Sequence, residues 1–115
     1  MIDYEKIFKI EPYSLKKDEK HTLLTDILNE LTEHHRLNCS QYSNMMKAIN
    51  ASAVDSYYKM PFIPVRLFKE LDLLSIDRKY LYKTMTSSGT TGQAVSKIYL
   101  DRETAVLQQK ALVKI

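Results

Sequence analysis

Six of the eight residues from Thr84 to Thr91 carry hydroxyls, and the chain's only two glycines, Gly89 and Gly92, bracket the end of that window. The run reads Thr84-Met85-Thr86-Ser87-Ser88-Gly89-Thr90-Thr91-Gly92-Gln93. This mix suits a polyphosphate. Glycine permits positive φ and lets backbone amides approach an anion with no β-carbon in the way. Hydroxyls add short donors that rotate toward phosphate oxygens, and Lys97, a few residues on, brings a mobile positive charge. Taken alone, a cluster of this composition is more commonly an ordinary polar hairpin loop. Two familiar phosphate motifs are excluded. Walker A needs a second glycine five positions after the first, then Lys and Ser or Thr, whereas Gly89 is followed by Gly92 and no such lysine. The dinucleotide fingerprint needs three glycines opening a helix, and two are present.

A loop of this kind needs elements to hold it. Tyr80–Thr86 and Ala94–Leu100 are rich in aromatic, β-branched and hydroxyl residues, which predicts two strands of a hairpin with the window at its tip. Asp101 suits an N-cap, and Ala105, Val106, Leu107, Ala111 and Leu112 give the following helix an apolar face. Upstream, Leu15, Leu23, Leu24, Ile27, Leu28 and Leu31 form a helical stripe, with Ser14 as the expected N-cap and an end near Asn38. Ser40 is the expected cap of a second helix carrying Tyr42, Met45, Met46 and Ile49, and a third helical stretch is expected over Val54–Met60. Pro61 and Pro64 bracket an extended connector, and Pro64 opens a short helix through Glu70.

These elements predict an α+β chain in four parts. They are a helical region at 1–60, a Pro-bounded connector with a short helix at 61–79, the hairpin with its loop at 80–100, and a final helix at 101–115. A two-stranded hairpin is marginal alone, and the last helix has no stop signal before Ile115. The expectation is therefore a single partial domain, a piece of a larger α/β architecture.

Composition narrows the class. Apolar residues make up 44% and charged residues 27%, which argues against disorder. One cysteine, Cys39, forms no internal disulfide, and the N-terminus lacks the apolar core of a signal peptide, so a cytoplasmic address is expected. No apolar run approaches the roughly 20 residues of a membrane span. Seventeen basic residues against fourteen acidic ones give a net charge of +3, but the two signs interleave along the chain. That favours a solvated surface, and no nucleic-acid partner is expected.

Other candidate groups read as structural. His34, His35 and Cys39 lack a carboxylate at matching spacing, so they are expected to form a helix-end surface cluster and no metal site. His21 is expected to be solvated, and Tyr42, Met45 and Met46 to pack. Tyr57-Tyr58 beside Pro61-Phe62 suggest an acyl channel, with simple packing as the stronger alternative.

Thr86-Ser87-Ser88-Gly89-Thr90-Thr91-Gly92 resembles the phosphate-binding loop of adenylate-forming enzymes, a Ser/Thr-rich stretch reading S-G-T-T-G. Within that superfamily the surroundings are similar to the acyl-protein synthetases of LuxE type. Their block before the loop resembles Pro64-Val65-Arg66-Leu67-Phe68-Lys69-Glu70-Leu71-Asp72-Leu73-Leu74-Ser75, and their loop is likewise followed by Ser96-Lys97-Ile98-Tyr99-Leu100-Asp101. The likeness is good from Pro61 to Leu112 and looser before. Where most adenylating enzymes place Pro-Lys after the second glycine, this chain has Gln93-Ala94-Val95-Ser96-Lys97.

The resemblance implies the N-terminal part of a ligase that joins a fatty acid to a protein thiol through an acyl-adenylate. ATP and Mg would be the cofactors, and an acyl reductase or acyl carrier a possible partner, as in a bioluminescence-type aldehyde pathway. Triphosphate contact falls to Thr86, Ser87, Ser88, Gly89, Thr90, Thr91, Gly92 and Lys97. No catalytic residue is assigned, and the segment alone is expected to be inactive. Two alternatives remain open: a helical interaction module that docks a partner such as an acyl reductase, and a piece of an aryl- or acyl-CoA ligase.

Overall fold

A computed structural model describes residues 1–89 and 94–115. The chain is α+β. Helices α1 (Tyr4–Phe8), α2 (Lys17–Asn38), α3 (Ser40–Ala48) and α4 (Leu67–Glu70) precede an antiparallel hairpin of β1 (Lys83–Thr86) and β2 (Lys97–Leu100). Helix α5 (Arg102–Lys114) follows.

The long helix starts later than Ser14. Pro12 and Tyr13 occupy the corners of a turn closed by the Ser14 amide on the Glu11 carbonyl at 3.2 Å. Proline fits the first corner, and Tyr13 takes the left-handed φ of 63° that a type II turn requires at the second. The Ser14 hydroxyl is spent donating to the same Glu11 carbonyl. Lys16 becomes the cap, and Glu19 reaches back to accept from its amide at 2.8 Å. Helix α1 was not signalled by periodicity, being only five residues long, but Asp3 caps it by accepting from the Lys6 amide.

Helices α2 and α3 meet at one extended residue, Cys39. Its amide donates to the His35 carbonyl and its own carbonyl accepts from the Ser43 amide, so one buried residue ends one helix and caps the next. Ser40 is thus the first helical residue, not the cap. At the far end of α3 the Ala51 amide reaches the Met46 carbonyl and the Asn50 amide the Lys47 carbonyl. With Asn50 at φ 51°, this is a Schellman ending, which asparagine tolerates better than most residues.

The stretch expected to be a third helix holds a single 3-10 turn, Tyr57–Lys59, capped by Ser56. It is stitched to α2 by side chains: Thr25 accepts from the Tyr57 amide at 3.1 Å, and Asn29 both donates to the Val54 carbonyl at 2.8 Å and accepts from its amide at 3.0 Å. Tyr80 belongs to another 3-10 turn, Arg78–Tyr80, capped by Asp77, and not to the first strand. The short helix ends at Glu70 as expected but begins at Leu67, after a turn at Val65 and Arg66, and Asp101 caps α5 through the Thr104 amide as expected.

Burial is thin. Among the described residues only Thr25, Cys39, Met46 and Leu100 are buried, while most apolar side chains are partly covered. A compact monomer of this mass would expose about 6,500 Å²; this chain exposes 9075 Å². Its radius of gyration, 15.8 Å, also exceeds the roughly 13 Å of a compact chain of this length. Such excess surface agrees with a part of a larger domain. Helix α5 adds to it with Leu112 and Val113 exposed, although its basic end is tied to α1 through Lys110–Glu5 and Lys114 on the Phe8 carbonyl. Among the described residues no helix is long and apolar enough to cross a membrane.

Candidate functional site

The hairpin fixes where the loop begins and ends. Its register pairs Lys83 with Leu100, Thr84 with Tyr99, Met85 with Ile98 and Thr86 with Lys97. Pairing runs one step past the tip end, where the Ser87 amide donates to the Ser96 carbonyl at 3.0 Å; at the other end the Tyr82 amide also donates to the carbonyl of Leu100, the partner of Lys83. The Ser96 amide returns the bond to the Ser87 hydroxyl oxygen, also at 3.0 Å. Ser87 is therefore the clasp of the hairpin, and the donor it retains is its hydroxyl proton.

Thr86, Ser87, Ser88 and Gly89 are exposed at the tip, and Lys97 stands directly across from Thr86. Lys97 and Thr86 thus share the foot of the loop. Lys97 is close enough to help hold the Asp72 carboxyl below its ordinary value, after the hydrogen bond from the Tyr99 hydroxyl and alongside Arg78. Thr90, Thr91 and Gly92, also expected to touch phosphate, lie with Gln93 outside the described residues.

Tyr99 keeps the hairpin in place. Its hydroxyl donates to Asp72 at 2.7 Å, and Arg78 meets the same carboxylate at 3.3 Å. The bond to Asp72 holds the phenol proton and raises its pKa. The segment that resembles the family block before the loop is in this way bonded to the strand after it.

A second site was foreseen only at Pro61-Phe62. The connector, the end of α2 and β2 enclose a cleft of about 550 Å³. His35, Cys39 and Tyr42 approach it from the helices, Phe62, Phe68 and Ser75 from the connector, and Ile98 and Leu100 from β2. His35 Nδ1 and Ser75 Oγ share a hydrogen bond at 2.6 Å, and the His35 ring meets Tyr42 edge-on with centroids 6.1 Å apart. Partial covering of its ring, reinforced by the neighbouring His34, lowers the His35 pKa from its ordinary value, although the residue as a whole stays exposed.

Several structural expectations change accordingly. His34 and His35 are exposed at the helix end as expected, but Cys39, the third member of the expected surface cluster, is buried and faces the cleft. His21 is half-buried, bonded to Ser56 at 3.0 Å with its ring 5.3 Å from that of Tyr57. Tyr57 packs there, and neither it nor Tyr58 lines the cleft, whereas Pro61 and Phe62 do. Met46 is core, as expected. The signal that sequence reasoning passed over was His35 itself, whose partner lies forty residues away.

A protein-family model described as acyl-protein synthetase, LuxE, matches residues 2–115. The chain belongs to that family. No curated protein and no solved structure matches it.

Proposed function

We propose that this LuxE-family chain supplies the triphosphate-contacting loop of an ATP-dependent acyl-protein synthetase. In this reading a fatty-acid carboxylate oxygen attacks the α-phosphorus of ATP, the α–β phosphoanhydride bond breaks, and acyl-adenylate and pyrophosphate form. A protein thiol then takes the acyl group and AMP leaves. The observation that carries the reading is the family match across residues 2–115, joined to a hairpin in which Thr86, at the start of the hydroxyl-rich segment, pairs with Lys97.

The donors present suit phosphate oxygens. Thr86, Ser88 and the Ser87 hydroxyl proton lie at the tip, Gly89 leaves the backbone accessible, and Lys97 opposes the charge. Thr90, Thr91 and Gly92 complete the set by resemblance. Attack at phosphorus puts extra negative charge on the α-phosphate and leaving oxygens, and fixed donors stabilise that charge more than they stabilise bound ATP. Magnesium supplies further neutralisation when it accompanies the nucleotide. The chain offers hydroxyls and no carboxylate between Thr86 and Gly92, so no step is assigned to the ion.

Clasping Ser87 to Ser96 places the hairpin's own pairing at the base of the loop, between its two ends. Adenylation and thiol transfer are assigned to the complete synthetase. A loop with solvated amides binds ATP weakly, because a preorganised dry site supplies much of the effect. The test is ATP–pyrophosphate exchange by the synthetase that contains this segment. Gly89→Val is expected to lower exchange on the order of 100-fold, the scale of losing one preorganised donor. Unchanged exchange would remove the loop from the reaction. Titrating ATP·Mg into the 115-residue chain is expected to give no submillimolar affinity.

A further inference from the structure

We propose that Tyr99 and Arg78 are positioning residues for Lys97: by taking both oxygens of Asp72 they keep the lysine available to an anionic phosphate chain at the hairpin tip. The premise is the phosphate role of the loop; the new element is a competing anion beside it. Tyr99 and Lys97 are two positions apart on β2, so their side chains stand on one face of the hairpin. Asp72, from the connector, meets that face. Its Oδ1 accepts from the Tyr99 hydroxyl at 2.7 Å, and its Oδ2 accepts from Arg78 Nη2 at 3.3 Å.

Lys97 is close enough to act on the same carboxylate through space. Yet among the described residues it enters no ion pair. The two neighbours account for this. The Tyr99 hydroxyl holds one oxygen, and Arg78 holds the other while offsetting its charge, so little attraction is left for a third partner. A lysine ammonium is a point charge on a flexible stem and goes to the least compensated anion in reach. Without the Tyr99 hydroxyl that anion is Asp72. With it, that anion is an arriving phosphate. Arg78 and Asp72 are 66% and 51% exposed, so each such pair is weak and the effects are small in size. Their pattern is what identifies them.

The experiment has one arm without nucleotide and one with it. In the full chain, in cold and mildly acidic solution, heteronuclear correlation follows exchange of the Lys97 ammonium protons with water. Tyr99→Phe should slow that exchange about twofold or more as the lysine pairs with Asp72, and Tyr99→Phe/Asp72→Asn should restore the native rate. In the synthetase that contains this segment, Tyr99→Phe should raise the KM for ATP in pyrophosphate exchange about two- to fivefold with kcat unchanged. Asp72→Asn alone should leave KM at or below the native value, and the double variant should recover it. A Tyr99 that merely braces the hairpin requires the opposite: Asp72→Asn would be harmful, and the double variant no better than Tyr99→Phe. Lys97→Ala sets the ceiling, a rise of about tenfold. Native ammonium exchange in Tyr99→Phe, or no recovery in the double variant, would overturn the proposal and leave the loop's role standing. Slowed exchange with an unmoved KM in Lys97→Ala would strike the phosphate role of Lys97 and the proposal with it, while Gly89→Val still reports on the loop itself.

Discussion

Around α2 the chain is held by side chains reaching across to loop backbone; around the hairpin, backbone pairs with backbone. In the first region Thr25 and Asn29 satisfy the amides of Tyr57 and Val54, and His21 meets Ser56, over separations of 25 to 35 residues. Of the four described residues that are buried, three, Thr25, Cys39 and Met46, lie here. In the second region the β1–β2 ladder and the Ser87–Ser96 clasp do the equivalent work, and among its described residues Leu100 alone is buried. The contrast separates two tasks. The helical region fixes the connector that walls the cleft, while the hairpin presents a hydroxyl-rich tip with little core beneath it. Stability should therefore be concentrated around α2 and α3, and substitutions there should unfold the chain where changes at the tip do not.

The largest effect is expected for Met46→Ala. Met46 is 1% exposed and the most completely buried side chain described, so truncation leaves a cavity and should cost about 3 kcal/mol in urea unfolding. A cost near that of a surface substitution would show that the helical region is not the stable half, and the comparison would collapse.

Asn29→Ala should come next, at about 2 kcal/mol. The side-chain amide imitates a strand neighbour for Val54, pairing with both its carbonyl and its amide, and alanine leaves both groups partly buried without partners. The sharper reading comes from amide exchange, where Val54 and Tyr57 should lose protection while Met85 and Ile98, a hydrogen-bonded pair of the hairpin, keep theirs. Equal loss in both regions would mean that the two are one cooperative unit.

Asn29 also marks the limit of what was legible in the sequence. Helices α2, α3 and α5 were readable from three- and four-residue apolar spacing, and Asp101 from its position before the last of them. The hairpin was readable because hydroxyl and β-branched residues flank the only two glycines. Periodicity carries no information on a polar residue such as Asn29 that bonds a loop 25 positions away. The same applies to Ser14, whose hydroxyl chose a turn carbonyl over a helix end, a competition that propensity alone does not resolve. Of the two sites, the loop was legible because it is one contiguous window. The cleft was not, because it forms only when residues near 35, 62, 75 and 98 are brought together by the fold.

The smallest expected effect is a pH dependence that joins the two regions at the cleft. His35 titrates below its ordinary value of 6.5 in the folded chain, chiefly because packing shields its ring and secondarily because of His34. The unfolded chain therefore binds the proton first as pH falls, so stability should decline from about pH 6.5 downward, through the depressed folded value, and be flat above about pH 7.5. The hydrogen bond to Ser75 and the edge of Tyr42 are the other contacts of the ring on the cleft side. Asp55, Asp72, Asp101 and Glu33 are all held below their ordinary values of 3.8 to 4.5, so their contributions persist at pH 7 and are lost only at more acid pH. Urea midpoints measured from pH 8 to pH 5 should thus fall slightly for the native chain and less for His35→Gln, which keeps a polar group beside Ser75 without a titrating ring. Identical slopes would show that His35 is as free to protonate in the fold as out of it. In that case the end of α2 does not close against the connector, and the boundary drawn between the two regions would have to move.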